Sequence, residues 1–219
     1  MVAERSGCAT AGHGRALAPL VARVLADVDD GADSLDVVAV SIGPGSFTGL
    51  LTCLGLAKGM AYALRCALVP VPTLDALAAV AAADAGELVC PMLDARKGEV
   101  YAAVYRALAD GTLEAETGPM LVRPGELARR LAGAGSTGSA GRCRFLGDGV
   151  ERYGPEVEGA LGGRALVLPF THYHPRGGTV ALLGARLVPL PGPEAVAQLE
   201  PSYVRPAYVQ VHRAAGPPA

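Results

Sequence analysis

The segment Val37–Leu50, which reads VVAVSIGPGSFTGL, does most to limit what this chain can fold into. Its apolar, β-branched first part up to Ile42 predicts a strand buried on both faces. Two glycines around a proline then predict a tight turn, and Ser46 stands where a helix N-cap is preferred. The apolar residues that follow predict a helix over Phe47–Leu64. A strand, a glycine turn and a helix N-terminus together present backbone N–H groups to an anion. The segment is therefore a phosphate loop or the vestige of one, with these candidate residues: Gly43, Gly45, Ser46 and Thr48.

The glycine spacing excludes the common nucleotide-binding motifs. A P-loop needs a second glycine where Thr48 or Leu50 stands, followed by Lys and Ser or Thr. The dinucleotide fingerprint G-x-G-x-x-G is one residue too short to include Gly49. A nucleophile elbow around Ser46 would need glycines where Pro44 and Thr48 stand.

The composition bounds the class of protein. The 219 residues can bury a sizeable core as one large or two small domains. A net charge of −2 with scattered Lys and Arg argues against a surface that grips nucleic acid by itself. Five cysteines without a C-x-x-C pair indicate a reducing compartment, hence the cytoplasm. Phe47–Leu64 is long enough to span a membrane, but Lys58 and its glycines favour a helix packed in a soluble protein with no membrane contact.

Alternating strands and helices predict α/β layers. Apolar residues at helical spacing predict a first helix from about His13 to Val28, with Pro19 in its first turn or at a kink. A strand over 68–71 should pair in parallel with the Val37 strand, and a helix capped by Thr73 should run to about residue 83. Residues 88–93 and 99–105 predict an antiparallel hairpin. The remaining predictions are a flexible loop over 132–141, a strand over 143–147, a turn at 148–149, a helix over 179–188 and a disordered tail from residue 214.

Four segments resemble one family. Gly43–Leu50 (GPGSFTGL), followed by Ala57-Lys58-Gly59, closely resembles the TsaB (YeaZ) family, whose members are partner subunits in tRNA threonylcarbamoyladenosine synthesis. His13–Pro19 resembles the first helix of that family, Asp94–Tyr101 its hairpin, and Glu200–Arg205 its C-terminal motif. The matches occur in family order from about residue 2 to residue 205.

The resemblance implies an α/β fold of the actin-like, sugar-kinase-like ATPase class (ASKHA, RNase H-like), with two lobes over residues 1–87 and 88–219. Members of the family have two further strands ahead of the one that we expect to start at Val2. The first lobe is therefore expected to lack its first two strands. Either the start codon is assigned too late or the lobe is defective, and we favour the first because a sheet without its centre exposes unpaired strand edges. Leu51 stands where the family usually has Arg.

For function, the resemblance implies a non-catalytic scaffold subunit. Its partner is expected to be TsaD, which transfers threonylcarbamoyl to the adenosine following the anticodon in tRNA, with TsaE as the ATPase that resets the complex. ATP, ADP and metal are expected to bind TsaD and TsaE, and this subunit alone is expected to bind no cofactor. It is expected to contact tRNA only as part of the complex. In isolation, the subunit could instead form a homodimer. The rival function is a stand-alone ATP-dependent kinase or hydrolase of the same fold. The older glycoprotease label of the superfamily would require a metal site.

The expected interface lies on the first two helices. Gly55 and Gly59 are one turn apart, and helical glycines cost stability that close packing can offset. One face of the second helix should pack on its own sheet, and the other should join a helix bundle with TsaD. The residues assigned to this interface are His13, Leu17, Leu20, Gly49, Thr52, Gly55, Lys58 and Gly59.

Histidines and carboxylates elsewhere favour structural roles, and no catalytic residue is assigned. His13 has no second histidine one helical turn away, which argues against a helical metal pair. His172 and His174 stand among residues typical of a loop, with metal binding as the less favoured alternative. Three hairpin residues are either acid–base groups or, as we favour, turn and inter-lobe ion-pair residues: Asp94, Arg96 and Glu99. Asp148 is predicted to be a turn residue, with a contact to a nucleotide as the alternative.

Overall fold

The structure, a computed structural model, describes residues 3–7, 13–28, 31–133 and 141–204. This part of the chain contains both helices and strands, which alternate except for the run β3-β4-β5 and the final pair α6-α7. Their order is α1 (His13–Ala26), β1 (Val37–Ser41), α2 (Phe47–Leu64), β2 (Ala67–Val71), α3 (Thr73–Ala78), β3 (Leu88–Asp94), β4 (Val100–Ala107), β5 (Leu113–Val122), α4 (Pro124–Gly133), β6 (Cys143–Leu146), α5 (Gly149–Leu161), β7 (Ala165–Val167), α6 (Gly177–Gly184) and α7 (Gly192–Gln198).

The first sheet consists of β1 and β2, which pair in parallel with Val37 opposite Ala67 and Ser41 opposite Val71. The helix α2 covers one face of this sheet, and its Leu54 and Ala57 share a buried cluster with Leu68. The helix α6 packs against the other face. The helix α1 contacts α2, and none of its described side chains, from residue 16 onward, is buried in the core. The predicted strand–helix–strand unit is confirmed.

The second sheet has the strand order β5-β4-β3-β6-β7. Strands β3 and β4 form the predicted antiparallel hairpin, whereas β3, β6 and β7 run in parallel. Side chains from α4 and α5, among them Leu127 and Val157, fill the core on one face, around Phe145 and Met92. On the other face, α3 contributes Leu74 and Leu77 to a second buried cluster. Sheets of this mixed kind, covered by helices, are typical of α/β domains.

Several sequence-based predictions are wrong in detail. Residues 3–7 form no strand; within them, the Glu4 side chain accepts a hydrogen bond from the Gly178 N–H (2.9 Å) and Arg5 pairs with Asp27. Thr73 is the first residue of α3 rather than its cap. The helices predicted to reach residues 83 and 188 end at Ala78 and Gly184, because the following N–H groups bond three residues back and tighten into turns.

Other differences concern the second half of the chain. Gly149 begins α5, so only Asp148 of the predicted 148–149 turn precedes the helix. Residues 132–133 end α4, and residues 134–140 of the predicted flexible loop lie outside the described residues, as does the tail from residue 214. The pattern did not predict β5, α4, α5, β7 or α7. The boundary near residue 87 stays a prediction.

Candidate partner interface

The helix α2 presents one side to the sheet and another to the surface. The Ser46 side chain accepts a hydrogen bond from the Gly49 N–H, as an N-cap does, and Arg65 ends the helix in the left-handed conformation. Four of its side chains are buried toward β1 and β2: Leu50, Leu54, Ala57 and Ala61. These positions repeat at three and four residues, which places them on one face of the helix.

Between α1 and α2 lies an open groove of about 420 Å³. Its walls are apolar side chains and glycines, with no charged residue among those that line it: Ala18, Val21, Ala22, Leu25, Ala32, Gly55, Leu56, Gly59, Met60, Ala63 and Leu64. A Cβ atom placed on Gly55 or Gly59 would meet no atom within 4 Å. Among the described residues, the two glycines therefore leave open space at the surface of α2.

The other predicted interface residues are distributed around the same helix pair. A smaller groove of about 140 Å³ brings together Leu17, Leu20, Gly49 and Thr52. His13 begins α1, but its side chain lies outside the described residues. Lys58 extends in a different direction and donates a hydrogen bond from Nζ to the Ala197 carbonyl (2.8 Å). Lys58 thus ties α2 to the segment around α7 and does not line either groove.

The glycine turn after β1 is held by Thr73. The Gly43 N–H donates to the Thr73 Oγ1 (3.0 Å), and the Thr73 N–H donates to the Gly43 carbonyl (2.8 Å). The Ser41 hydroxyl lies 2.6 Å from the same Thr73 oxygen. The remaining residues of the predicted phosphate loop are exposed: Gly45, Ser46 and Thr48. Because the Gly43 N–H already donates a hydrogen bond to Thr73, it is not available to bind an anion.

The C-terminal segment 199–204, which we call the C-terminal strap, covers the same turn. The Ser202 N–H donates to the Ile42 carbonyl (2.7 Å), and a Cβ on Gly43 would lie 2.8 Å from the Ser202 carbonyl oxygen. The Tyr203 ring stacks on Phe47, with ring centroids 5.8 Å apart. The two segments Gly43–Leu50 and Glu200–Arg205, which resemble the same family and are remote in the sequence, therefore meet at the start of α2.

Comparison with known proteins identifies the family to which this chain belongs. A profile described as "TsaD: tRNA N6-adenosine threonylcarbamoyltransferase" matches residues 7–142. The "tRNA threonylcarbamoyladenosine biosynthesis protein TsaB" of Bacillus subtilis is 30% identical over 166 residues, which are 76% of this chain and 69% of that protein. This chain belongs to the TsaB (YeaZ) family. The Haemophilus influenzae protein of the same name is 34% identical over 90 residues, or 41% of this chain and 38% of that protein.

A solved structure supports the same fold. It is described as an uncharacterized protein from Pseudomonas aeruginosa with similarity to peptidase YEAZ. It superimposes with a TM-score of 0.67 at 25% identity and covers 87% of this chain and 83% of that one. The fold of this TsaB-family chain is therefore the actin-like, ASKHA-type α/β fold that the family resemblance implied.

The hairpin that resembles the family motif is organised by its own carboxylates. The Asp94 Oδ1 accepts a hydrogen bond from the Arg96 N–H (2.8 Å), and the Arg96 Nη1 lies 3.4 Å from Oδ2. The Glu99 N–H donates to the Arg96 carbonyl (3.1 Å). The turn role is thus supported, and Asp94 and Arg96 pair with each other within the hairpin, while an ion pair between lobes stays a prediction.

Asp148 links the hairpin to β6. Its Oδ1 accepts a hydrogen bond from the Asp94 N–H (2.9 Å). Loss of solvent around the carboxyl raises the pKa of Asp148; the Asp94 N–H opposes this effect and the Asp94 carboxylate adds to it. The residue therefore connects the ends of two neighbouring strands, as a structural turn residue does.

The described residues contain no group of three or more His, Cys, Asp or Glu side chains arranged to hold a metal ion. His172 lies beside the Thr171 hydroxyl (3.1 Å), and His174 packs edge-on against Phe170. Both histidines lie in the irregular segment before α6, as the sequence predicted. Their neighbours are an alcohol and an aromatic ring, and neither is a further metal ligand.

By length and composition, α2 is the one helix in the described ranges that can cross a membrane. Four of its side chains are nevertheless buried against the first sheet, and Lys58 bonds to a carbonyl of a neighbouring segment. These contacts are those of a helix packed on a sheet, where long apolar helices are also found.

Proposed function

We propose that this chain is the non-catalytic TsaB subunit of a cytoplasmic complex that installs threonylcarbamoyl on the adenosine following the anticodon in tRNA. The observation that carries the proposal is the open apolar groove between α1 and α2, with Gly55 and Gly59 among the residues that line it. Such a groove admits a helix of another subunit, because small residues let two backbones approach closely. Apolar surface of this kind marks an interaction site more often than a free surface.

The family relationship favours a TsaD-like subunit as the occupant. The TsaD profile matches residues 7–142, which include both α1 and α2. A TsaD-like protein therefore has counterparts of the same two helices. Two similar helix pairs can pack about an approximate two-fold axis, with each pair contacting the other through equivalent surfaces. A four-helix bundle of this kind would bury the groove.

A supporting role fits the glycine turn better than catalysis does. The Gly43 N–H is bonded to Thr73, and the C-terminal strap lies against the turn through Ser202. The turn thus serves to hold elements of this chain together. We place ATP, ADP and metal on the TsaD-like subunit and a TsaE-like ATPase, and tRNA on the assembled complex, since a net charge of −2 provides little attraction for RNA phosphates.

Reconstitution tests the proposal. Purified TsaD-like and TsaE-like subunits from the same organism would be incubated with unmodified tRNA, ATP and a supply of threonylcarbamoyl adenylate, with and without this chain. We expect modified adenosine, measured by mass spectrometry of digested tRNA, to rise at least tenfold with the chain present and to be absent with the chain alone. Equal modification in its absence, or modification by the chain alone, would refute the proposal.

A further inference from the structure

The exposed aromatic side chains of the described residues are concentrated at α2. Phe47 is 61% exposed, Tyr62 is 84% exposed and Tyr203 is 48% exposed. Phe47 and Tyr62 belong to α2, and Tyr203 stacks on Phe47. Exposed aromatic rings cost solvation free energy, and such residues are enriched where one protein binds another.

Helix geometry places these side chains on one stripe. At about 100° per residue, Phe47, Leu51, Gly55 and Tyr62 fall within an arc of about 80°. Leu51 is also exposed, at 45%. The stripe therefore runs continuously from the Phe47–Tyr203 pair, past Leu51, to the groove that begins at Gly55.

The strap that presents Tyr203 is fixed in several places. Leu199 packs against the cluster beneath α2, and the Ser202 N–H bonds to the Ile42 carbonyl. Lys58 bonds to Ala197 just ahead of the strap. Tyr203 is thus already ordered before a partner arrives, and preorganised contacts bind with a smaller loss of conformational entropy.

We propose that the stacked Phe47–Tyr203 pair is an aromatic anchor for the partner subunit, so that the C-terminal strap takes part in recognition together with α1 and α2. This inference rests on the proposed function, because the occupant is the same TsaD-like subunit. Its continuity with the groove favours that occupant: a helix that enters the groove at Gly55 and follows the α2 stripe toward the start of α2 meets Phe47 about two turns away. The contacting surface of the partner should be apolar, since the anchor offers two rings and no charge.

Binding of the TsaD-like subunit to variants of this chain tests the anchor. We expect Tyr203→Ala and Phe47→Ala each to raise the Kd at least tenfold in titration calorimetry, because either change removes the stacked pair. Tyr203→Phe keeps the ring and should stay within threefold of the original chain. Leu182→Ala is the matched control, because Leu182 is 66% exposed on α6, which packs on the opposite face of the first sheet. This change should not alter the Kd.

The outcomes separate the two proposals. Failure of the unaltered chain to bind the TsaD-like subunit contradicts the proposed function itself. Binding that is unchanged in both alanine variants, with circular dichroism showing that they fold, contradicts the anchor alone. Sedimentation of the chain by itself covers the other occupant: if Tyr203→Ala disrupts a homodimer and leaves the heterodimer Kd unchanged, the anchor serves a second copy and the inference is wrong.

Discussion

Thr73 and Glu87 are the polar side chains that are buried in the described part of the chain. Thr73, the first residue of α3, exchanges two hydrogen bonds with Gly43 of the glycine turn, and the Ser41 hydroxyl lies 2.6 Å from its Oγ1. Glu87, at the start of β3, accepts a hydrogen bond from the Arg144 Nε (2.7 Å), and the Arg142 Nε lies 3.0 Å from its other oxygen. Buried polar groups are costly unless they are paired, so both residues should be sensitive to small changes.

Thr73→Val should destabilise the protein by roughly 1–3 kcal/mol, because it leaves the buried Gly43 N–H without its acceptor while the side-chain volume is conserved. Urea unfolding measures the change. Thr48→Val is the matched control, since Thr48 is exposed at the start of α2 and its replacement should cost less than about 0.5 kcal/mol. Equal effects of the two changes would show that the hydrogen bonds of Thr73 contribute nothing specific.

Glu87 should make stability depend on pH. Burial raises the pKa of its carboxyl, but Arg144, the Asp84 N–H and Arg142 together outweigh that effect and lower the pKa below the ordinary 4.5. A lowered pKa in the folded state means that the unfolded chain binds more protons in this range. The stabilisation is therefore complete above about pH 4.5 and is lost as the pH falls through the lower, folded-state pKa.

Glu87→Gln tests this pH dependence. At pH 7 the variant should be less stable by roughly 2 kcal/mol or more, because Arg144 and Arg142 then face a neutral group. The difference in unfolding free energy between the two proteins should shrink between pH 5 and pH 3. A difference that is the same at both pH values would contradict the assigned pKa shift.

At the scale of elements, the same residue type has opposite roles in two helices that cover the first sheet. On Gly184 of α6, a Cβ would lie 2.5 Å from the Ala39 Cβ of β1. On Gly55 of α2, it would meet nothing within 4 Å. The glycine in α6 lets its own sheet approach, whereas the glycine in α2 keeps space at the surface.

Gly184→Ala should therefore destabilise the protein by roughly 1–3 kcal/mol through overpacking, whereas Gly55→Ala should stabilise the isolated chain by up to about 1 kcal/mol through higher helix propensity. Thermal and urea unfolding of both variants measure the two effects. Stabilisation by Gly184→Ala would show that α6 does not pack closely on β1.

The sequence predicts a helix or strand correctly where its local signals, such as apolar spacing, turn residues and caps, agree with one another. The strand, turn and N-cap around Ser46 agree with one another, and the structure confirms that segment. The helix α5 was missed because Gly154, Pro155 and Gly159 interrupt it, although Val150, Tyr153, Val157 and Leu161 are buried at helical spacing. Strand β5 was missed because its acidic residues, Gly118 and Pro119 resemble a loop, and such residues are tolerated at the edge of a sheet.

Within the candidate site, the placement of Gly55 and Gly59 one turn apart on α2 was predictable from the sequence, and the structure adds that both are exposed. The contact between Phe47 and Tyr203 was not, because it joins segments that are remote in sequence and depends on the path of the strap. Thr73 shows the same limit. A threonine before a helix suggests a cap, and only the fold shows that its hydroxyl bonds the turn after β1 instead.

For the molecule as a whole, the chain passes from the first sheet to the second and then returns. After β7, α6 packs on β1 and β2, and Leu190, Val196 and Leu199 pack against the cluster beneath α2. The surface that α1 and α2 expose is thus supported from behind by residues distant in sequence. The partner surface should be rigid, because its supporting core combines residues of β1, β2 and α2 with residues between 190 and 199.

The isolated protein should neither hydrolyse ATP appreciably nor bind tRNA tightly at physiological salt. The glycine spacing fits no common nucleotide motif, the Gly43 N–H is engaged by Thr73, and the net charge is −2. Phosphate-release and filter-binding assays check the two statements. Steady ATP turnover that copurifies with the chain and disappears in Gly45→Val would favour the stand-alone kinase or hydrolase instead.

The most direct test of the account is the affinity of the TsaD-like subunit for a chain whose groove is filled. Gly55→Leu and Gly59→Leu should each leave folding intact and weaken binding by a few kcal/mol in titration calorimetry, since a large side chain there collides with a helix in the groove. Gly159→Leu, at an exposed helical glycine of α5, should bind like the unaltered chain. Unchanged affinity in folded Gly55→Leu and Gly59→Leu variants would contradict the proposed interface.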